Sequence, residues 1–202
     1  KVGADVHTIA RAMGLDGRIS SKFLHPGPGY GGSCFPKDTE ALVYTGEQHG
    51  VDFQVVKAAI GANKNQRSVI LAKAHELLPE MSGKTVAILG LAFKANTDDV
   101  RDTPALEIIQ GLEDAGAVVR AYDPIAAENM KQFFLPNLDT RQTVIETVQD
   151  ADLVIILTEW NELRGLGLKE LKAHLRSPNI VDARNILSID QLKEFGYNYR
   201  NV

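Results

Sequence analysis

The feature that most constrains the fold is a change of hydrophobic period near Ser82. Before it, apolar residues recur at helical spacing; after it, short β-branched runs alternate with amphipathic stretches. From Gln54 to about Leu78, residues Val55, Val56, Ala59, Ile60, Ile70, Leu71, Ala74 and Leu77 hold one stripe with no proline before Pro79, which predicts a long helix. Its polar middle, "NKNQR", interrupts the stripe and is read as a solvated face, with a partner subunit or second domain as the alternative. Past the break at "PEMSGK", the run "KTVAILGLAF" is too short and too β-branched for a typical helix and predicts a buried parallel strand. "TPALEIIQGLEDAGA" predicts a helix with Thr103 as N-cap, Pro104 at its first position and Gly116 at its end. "VVRAYDP", "DLVIILTEW" and "NIVDAR" continue as strands, with "QTVIETVQDA", "GLKELKAHL" and "SIDQLKEFG" as helices. Such alternation implies a parallel sheet covered on both faces. The expected architecture is therefore α/β: a helical region over residues 1–81, then a doubly wound domain over residues 82–202.

Within the helical region, Asp5 is a candidate N-cap, Val6, Ile9, Ala10 and Met13 recur at helical spacing, and Gly14 offers a left-handed closing position. The chain opens on "KVGADVHTIARAMG", without Met, which reads as the last turn of one helix followed by another and is expected of a fragment. A second helix is predicted from Pro36 through "KDTEALVYTGEQHG" to Gly50.

Between these helices, "FLHPGPGYGGSCFPKD" gathers glycines, prolines and the single cysteine of the chain, Cys34. One cysteine cannot form an internal disulfide, so a reducing compartment, the cytoplasm, is expected. A lone cysteine is often a small core residue. Here, however, glycines let the backbone approach a ligand closely, and the helix beginning near Pro36 aims its positive end at the sulfur. Both effects favour a thiolate nucleophile. Asp38, four residues on, either shares the space in front of Cys34 or complements the helix dipole.

The loop "GLAFKANTDDVRDTP" stands at the carboxyl end of a strand, where doubly wound folds bind ligands, yet it lacks G-x-G-x-x-G. A dinucleotide held in the fingerprint manner is therefore not expected in this domain. Lys94 and Arg101 offer charge for phosphates, as does Arg184 after the last apolar strand, each with a solvated surface cation as the alternative. Five histidines show no metal-ligand spacing, and no metal is expected. A net charge of −4 with scattered Lys and Arg argues against nucleic acid, and no run approaches the roughly 20 apolar residues of a membrane span.

"FLHPGPGYGGSCFPKD", "AILGLAFKANTDDVRDTPA", "AYDP", "LTEW" and "VDARN", in this order, resemble the C-terminal portion of the UDP-glucose/GDP-mannose dehydrogenase family. The resemblance implies a central, dimer-forming helical region and a Rossmann-like nucleotide-sugar-binding domain. It also implies two successive oxidations of a sugar C6 alcohol by NAD through a thioester on cysteine, with Cys34 as nucleophile and Asp38 assisting water and proton transfer. Phe23, Leu24, His25, Pro26, Gly27, Pro28, Gly29, Tyr30 and Gly31 match the segment that wraps the UDP-sugar. Phe93, Lys94 and Arg184 match its further contacts, and Arg18 one that reaches a sugar bound mainly to the other subunit of a homodimer. Cys34, Lys37 and Arg101 match positions that touch NAD. The "PGYGGSCFPKD" form favours UDP-glucose over GDP-mannose or a UDP-N-acetyl-hexosamine. The family's catalytic lysine and asparagine, its helix-borne glutamate and its glycine fingerprint fall outside this sequence, so the chain alone is not expected to turn over.

Overall fold

The computed structural model describes residues 3–202; the helix end expected at Lys1 and Val2 lies outside them. Helix α1, Val6–Gly14, is capped as the sequence predicts, with Asp5 Oδ1 accepting from Thr8 N at 2.7 Å. Gly14 differs from expectation: it is the last helical residue and not left-handed, and its missing Cβ makes room for the chain to fold back, since that atom would lie 3.0 Å from Ser21 Cβ. Helix α2 spans Phe35–Gln48 and helix α3 spans Gln54–Leu77.

The second part is a six-stranded, fully parallel sheet. In chain order its elements are β1 (Thr85–Leu89), α4 (Pro104–Asp114), β2 (Val118–Tyr122), α5 (Ala127–Phe133), β3 (Asp139–Thr140), α6 (Val144–Val148), β4 (Leu153–Ile156), α7 (Asn161–Arg164), α8 (Leu168–His174), β5 (Asn179–Asp182), α9 (Ile189–Glu194) and β6 (Asn198–Asn201). Strand order β3-β2-β1-β4-β5-β6 is that of the doubly wound dinucleotide-binding fold, with its switch point between β1 and β4. Strands β1, β4 and β5 are buried at every position, which is why β1 and β4 read as near-continuous apolar runs, while β5 has an apolar centre, Ile180 and Val181, between buried Asn179 and Asp182.

Four elements were absent from the periodicity. Strand β3 has two residues, α7 has four, α5 is a short helix, and β6 reads polar because it is an edge strand with half-exposed positions. The α4 boundaries follow their signals: Thr103 Oγ1 accepts from Ala105 N at 3.3 Å, and Gly116, at φ 82°, lets the chain turn into β2.

Helix α4 packs on β2, and the C-terminal half of α3 covers the rest of that side, against α4, β4, β5 and β6. Ile70, Ala74, Leu78 and Met81 thus belong to the same core as the strands. Helix α6 lies against β1 and β2 and meets α8. The N-terminal helices are different. Helix α1 buries no residue and α2 buries only Gly46, leaving Ile9, Met13, Leu42 and Tyr44 exposed, as is Val55 in the first turn of α3.

Candidate active site

The glycine-rich loop is seated on α3. Tyr30 N donates to Asn63 Oδ1 at 2.7 Å, Asn63 Nδ2 donates back to Tyr30 O at 3.1 Å, and Gln66 Nε2 donates to Gly27 O at 3.1 Å. Arg67, only 6% exposed, braces the same place, with Nη1 donating to Asn63 O at 3.2 Å and Nη2 to Tyr30 O at 3.5 Å. The "NKNQR" interruption of the α3 stripe is therefore only partly a solvated face, at Lys64 and Asn65, and it also meets the second domain, where Arg67 Nε lies 3.2 Å from Glu107 Oε1 of α4. It is the polar seat of the loop, and its signal was the interruption itself.

The loop glycines serve this docking. Gly29, at φ 107°, would place a Cβ 2.6 Å from Asn63 Oδ1, and Gly32, at φ 85°, would place one 2.7 Å from the Phe93 ring. Gly31 lies against the Asp102 carbonyl. Close approach of backbone to ligand, expected from the sequence, is at these positions close approach to the protein's own chain.

Cys34 is exposed and occupies the N-cap position of α2, with its side chain free of any capping bond and Ser33 Oγ 3.7 Å from Sγ. Its loop is tied to the segment after β1, where Gly32 N donates to Arg101 O at 2.8 Å. Asp99 bonds Arg101 at 2.9 Å, and that bond first, with the Ser33 backbone adding to it, holds its carboxyl below the usual carboxylate value. Arg101 is held above its ordinary value chiefly by Asp99 and Lys37 chiefly by Asp38; in both the Cys34 sulfur adds to the effect. Both cations therefore lie within electrostatic range of the thiol. Asp38 stands in the first turn of α2, joined to Lys37 at 2.6 Å.

Across the loop, Arg184 is gathered by the carboxyl ends of three adjacent strands. Its Nε donates to Leu157 O at 2.7 Å after β4, and its Nη2 donates to Phe93 O at 2.8 Å after β1. Its backbone N donates to Asp182 Oδ1, the last residue of β5, at 3.0 Å. Burial pushes the guanidinium down while Glu159, 3.1 Å from Nε, acts in the opposite sense. Arg184 lines a cavity of about 240 Å³ together with His25 and Pro26 of the loop, and with His7, Glu159, Arg164 and Asn185, which sequence reasoning missed. Among the described residues no hydrogen-bond partner meets the buried Asn185 Oδ1 or Glu159 Oε2, the latter being held by its ion pair with Arg184 alone. Lys94 rides over the Phe93 ring, its Nζ 5.3 Å from the centroid.

The structure thus gathers His25 to Gly31, Phe93, Lys94 and Arg184 around one loop, with Cys34, Lys37, Asp38 and Arg101 at its C-terminal end. Two expected contacts stand apart: Phe23 is 90% exposed, and Arg18 is exposed and paired with Asp16 at 2.6 Å. At the sheet's own switch point the Leu91 and Ala92 amides, which in such folds meet a phosphate, donate to Asp123 Oδ2.

The chain is similar to known proteins over its whole length. The UDP-glucose 6-dehydrogenase of Rhizobium meliloti is 45% identical over 207 residues, which take in 100% of this chain and 46% of the relative. TuaD, a UDP-glucose 6-dehydrogenase of Bacillus subtilis, is 42% identical over 202 residues, 100% of this chain and 44% of its own. The chain spans about half the length of the curated relatives it matches. A solved UDP-glucose dehydrogenase from the archaeon Pyrobaculum islandicum superposes with a TM-score of 0.86 at 32% identity, over 98% of this chain and 44% of that one. The central-domain model of the UDP-glucose/GDP-mannose dehydrogenase family matches residues 1–65 and its UDP-binding-domain model residues 87–189, and the chain belongs to that family.

Proposed function

We propose that this chain is the nucleotide-sugar-binding and nucleophile-bearing portion of a cytoplasmic, NAD-dependent UDP-glucose 6-dehydrogenase. The observation that carries the reading is the placement of Cys34. It is an exposed thiol at a helix N-terminus, within electrostatic range of Lys37 and Arg101, on the same loop whose other end meets the Arg184 cavity. Identity of 32% to the solved UDP-glucose dehydrogenase from Pyrobaculum islandicum, against 25% to a UDP-D-ManNAc dehydrogenase from Pyrococcus horikoshii, supports glucose as the sugar.

In this reading residues 1–81 form the central unit and residues 82–202 the UDP-sugar unit. His25 to Gly31 with Phe93, Lys94 and Arg184 hold the UDP-sugar, Arg184 supplying a guanidinium suited to phosphate oxygens. Arg18 and the loop start, exposed Phe23 with half-buried Leu24, act across a homodimer built on the apolar faces of α1, α2 and α3. NAD supplies the acceptance of one hydride in each of the two oxidations; no dinucleotide site is assigned to this sheet, and Lys37 and Arg101 are the residues that reach the cofactor.

The thiolate of Cys34 adds to the C6 aldehyde, forming a carbon–sulfur bond and a thiohemiacetal oxyanion. Loss of the C6 hydride leaves an acyl thioester. Water, its proton taken up with the help of Asp38, attacks the acyl carbon; the carbon–sulfur bond breaks, releasing the uronate carboxylate and regenerating the thiolate. In the complete dehydrogenase, Cys34→Ser abolishes UDP-glucuronate formation while UDP-glucose still binds, as calorimetry would report. Undiminished NADH production by that variant would remove Cys34 from the mechanism.

A further inference from the structure

The sheet has dinucleotide-binding strand order, yet its switch point is filled by the protein itself. In such folds the amides of the first turn after β1 receive a phosphate, and an acidic residue after the second strand binds a ribose hydroxyl. Here the acidic residue after β2, Asp123, turns inward to the first turn. Its Oδ2 accepts from Leu91 N at 2.7 Å, Ala92 N at 3.0 Å and Trp160 Nε1 at 3.1 Å. Its Oδ1 accepts from Ile125 N at 3.1 Å and Ala126 N at 2.8 Å. The carboxylate is 4% exposed, and five donors compensate the burial of its charge.

The remaining space at the switch point is closed as well. Gly90, at φ 98°, abuts Thr158 so closely that a Cβ could not be accommodated, and Thr158 Oγ1 donates to Ala92 O at 2.6 Å. Thr103 Oγ1 donates to Leu91 O at 2.8 Å. Both peptide units of the first turn are thus pinned, by residues arriving from β2, β4 and α4.

We propose that Asp123 is a positioning residue that takes the place of a bound phosphate: it closes the switch point to dinucleotides and fixes the turn that carries Phe93 and Lys94. The inference deepens the UDP-glucose reading and rests on it for the ligand. Phe93 follows Ala92 directly, its carbonyl accepts from Arg184 Nη2, and its ring fills the space that Gly32 leaves, two residues from Cys34. One carboxylate thereby sets the cation of the cavity and the floor under the cysteine loop. A nucleotide ligand meets the far side of the turn, at Phe93, Lys94 and Arg184, instead of the first-turn amides.

The test uses this chain and its Asp123→Asn variant, which keeps the shape and turns part of the acceptor into a donor. Amide exchange at Leu91 and Ala92 rises about tenfold or more in the variant while α4 and β4 amides keep their protection, and affinity for UDP-glucose falls by about tenfold. Trp160, the single tryptophan, reports the change by its fluorescence. Trp160→Phe, which removes one donor and leaves the carboxylate, retains Leu91 and Ala92 protection and binds UDP-glucose nearly as well as the parent chain. Unchanged exchange at Leu91 and Ala92 in Asp123→Asn, or faster exchange with unchanged UDP-glucose affinity, overturns the proposal. If Asp123→Asn does not fold, amide NMR of the unaltered chain decides: UDP-glucose shifts the Phe93 and Lys94 signals and leaves Leu91 and Ala92 bonded, whereas a nucleotide that displaces Asp123 from those amides refutes it. A chain that shows no response to UDP-glucose at all overturns the substrate reading, and the exchange data then decide the role of Asp123 by themselves.

Discussion

Asn63 holds Tyr30 at both ends of its backbone hydrogen-bonding capacity, accepting from Tyr30 N at 2.7 Å and donating to Tyr30 O at 3.1 Å. A side-chain carboxamide replaces the strand neighbour that this extended loop lacks, and both groups are part-buried. Asn63→Ala leaves Tyr30 N without its partner and Tyr30 O with only the 3.5 Å bond from Arg67 Nη2, and the lost amide partner costs about 1–3 kcal/mol where water cannot replace it. The expected outcome is faster exchange of the Tyr30 amide and weaker UDP-glucose binding by calorimetry, with the melting of the sheet little changed.

Gly32 combines φ 85° with contact against the Phe93 ring. Gly32→Ala adds strain of about 1–2 kcal/mol for the left-handed backbone and a Cβ that displaces the ring. Loss of UDP-glucose affinity should exceed that of Gly17→Ala, where the space is open and φ is not positive. Equal affinities in the two variants would show that the Phe93 contact plays no part in the site.

Lys37 and Arg101 both lie within electrostatic range of the Cys34 sulfur. A positive local potential concentrates anions, so Cys34 should react with iodoacetate unusually well relative to neutral iodoacetamide. Arg101→Ala lowers that rate ratio by several-fold, and raising the ionic strength lowers it in the unaltered chain. Alkylation followed by mass spectrometry measures both, and a ratio that does not move excludes an electrostatic role for Arg101 at the sulfur.

Burial pushes Tyr197 up to about 12, and its hydroxyl donates to Leu168 O at 2.8 Å. Tyr122 is also pushed up to about 12, first by burial and then by Glu162. Because both folded values lie above the ordinary 10.0, folding favours the neutral phenol. That stabilisation is complete below about pH 10 and is lost as the pH rises toward 12. Urea midpoints should therefore fall across this window, and Tyr197→Phe should make the fall shallower.

Much of the fold is legible because its determinants are local. Thr103, Pro104 and Gly116 bound α4 as their chemistry dictates, and the buried runs of β1, β4 and β5 advertise a parallel sheet. The Cys34 loop is legible from its unusual composition. Elements of two to seven residues, β3, α5 and α7, are too short to develop a period, and edge strand β6 carries polar residues because it is only half covered. Gly14 shows the reverse error: a residue suited to a left-handed cap serves instead as a site of close approach by Ser21.

Taken alone, the order of residues determined the helix-then-alternation architecture, the exposed cysteine at a helix start and the cations available to an anionic ligand, since these depend on periodicity and on neighbours within a turn or two. Only the tertiary structure decided that "NKNQR" seats the glycine loop, that Arg184 is shared by Phe93 and Leu157, and that Asp123 faces the first turn. Those contacts join residues from 27 to 91 positions apart. Which of many possible donors and acceptors meet at such separations depends on how the helices lie on the sheet, a geometry that a local hydrophobic pattern does not encode.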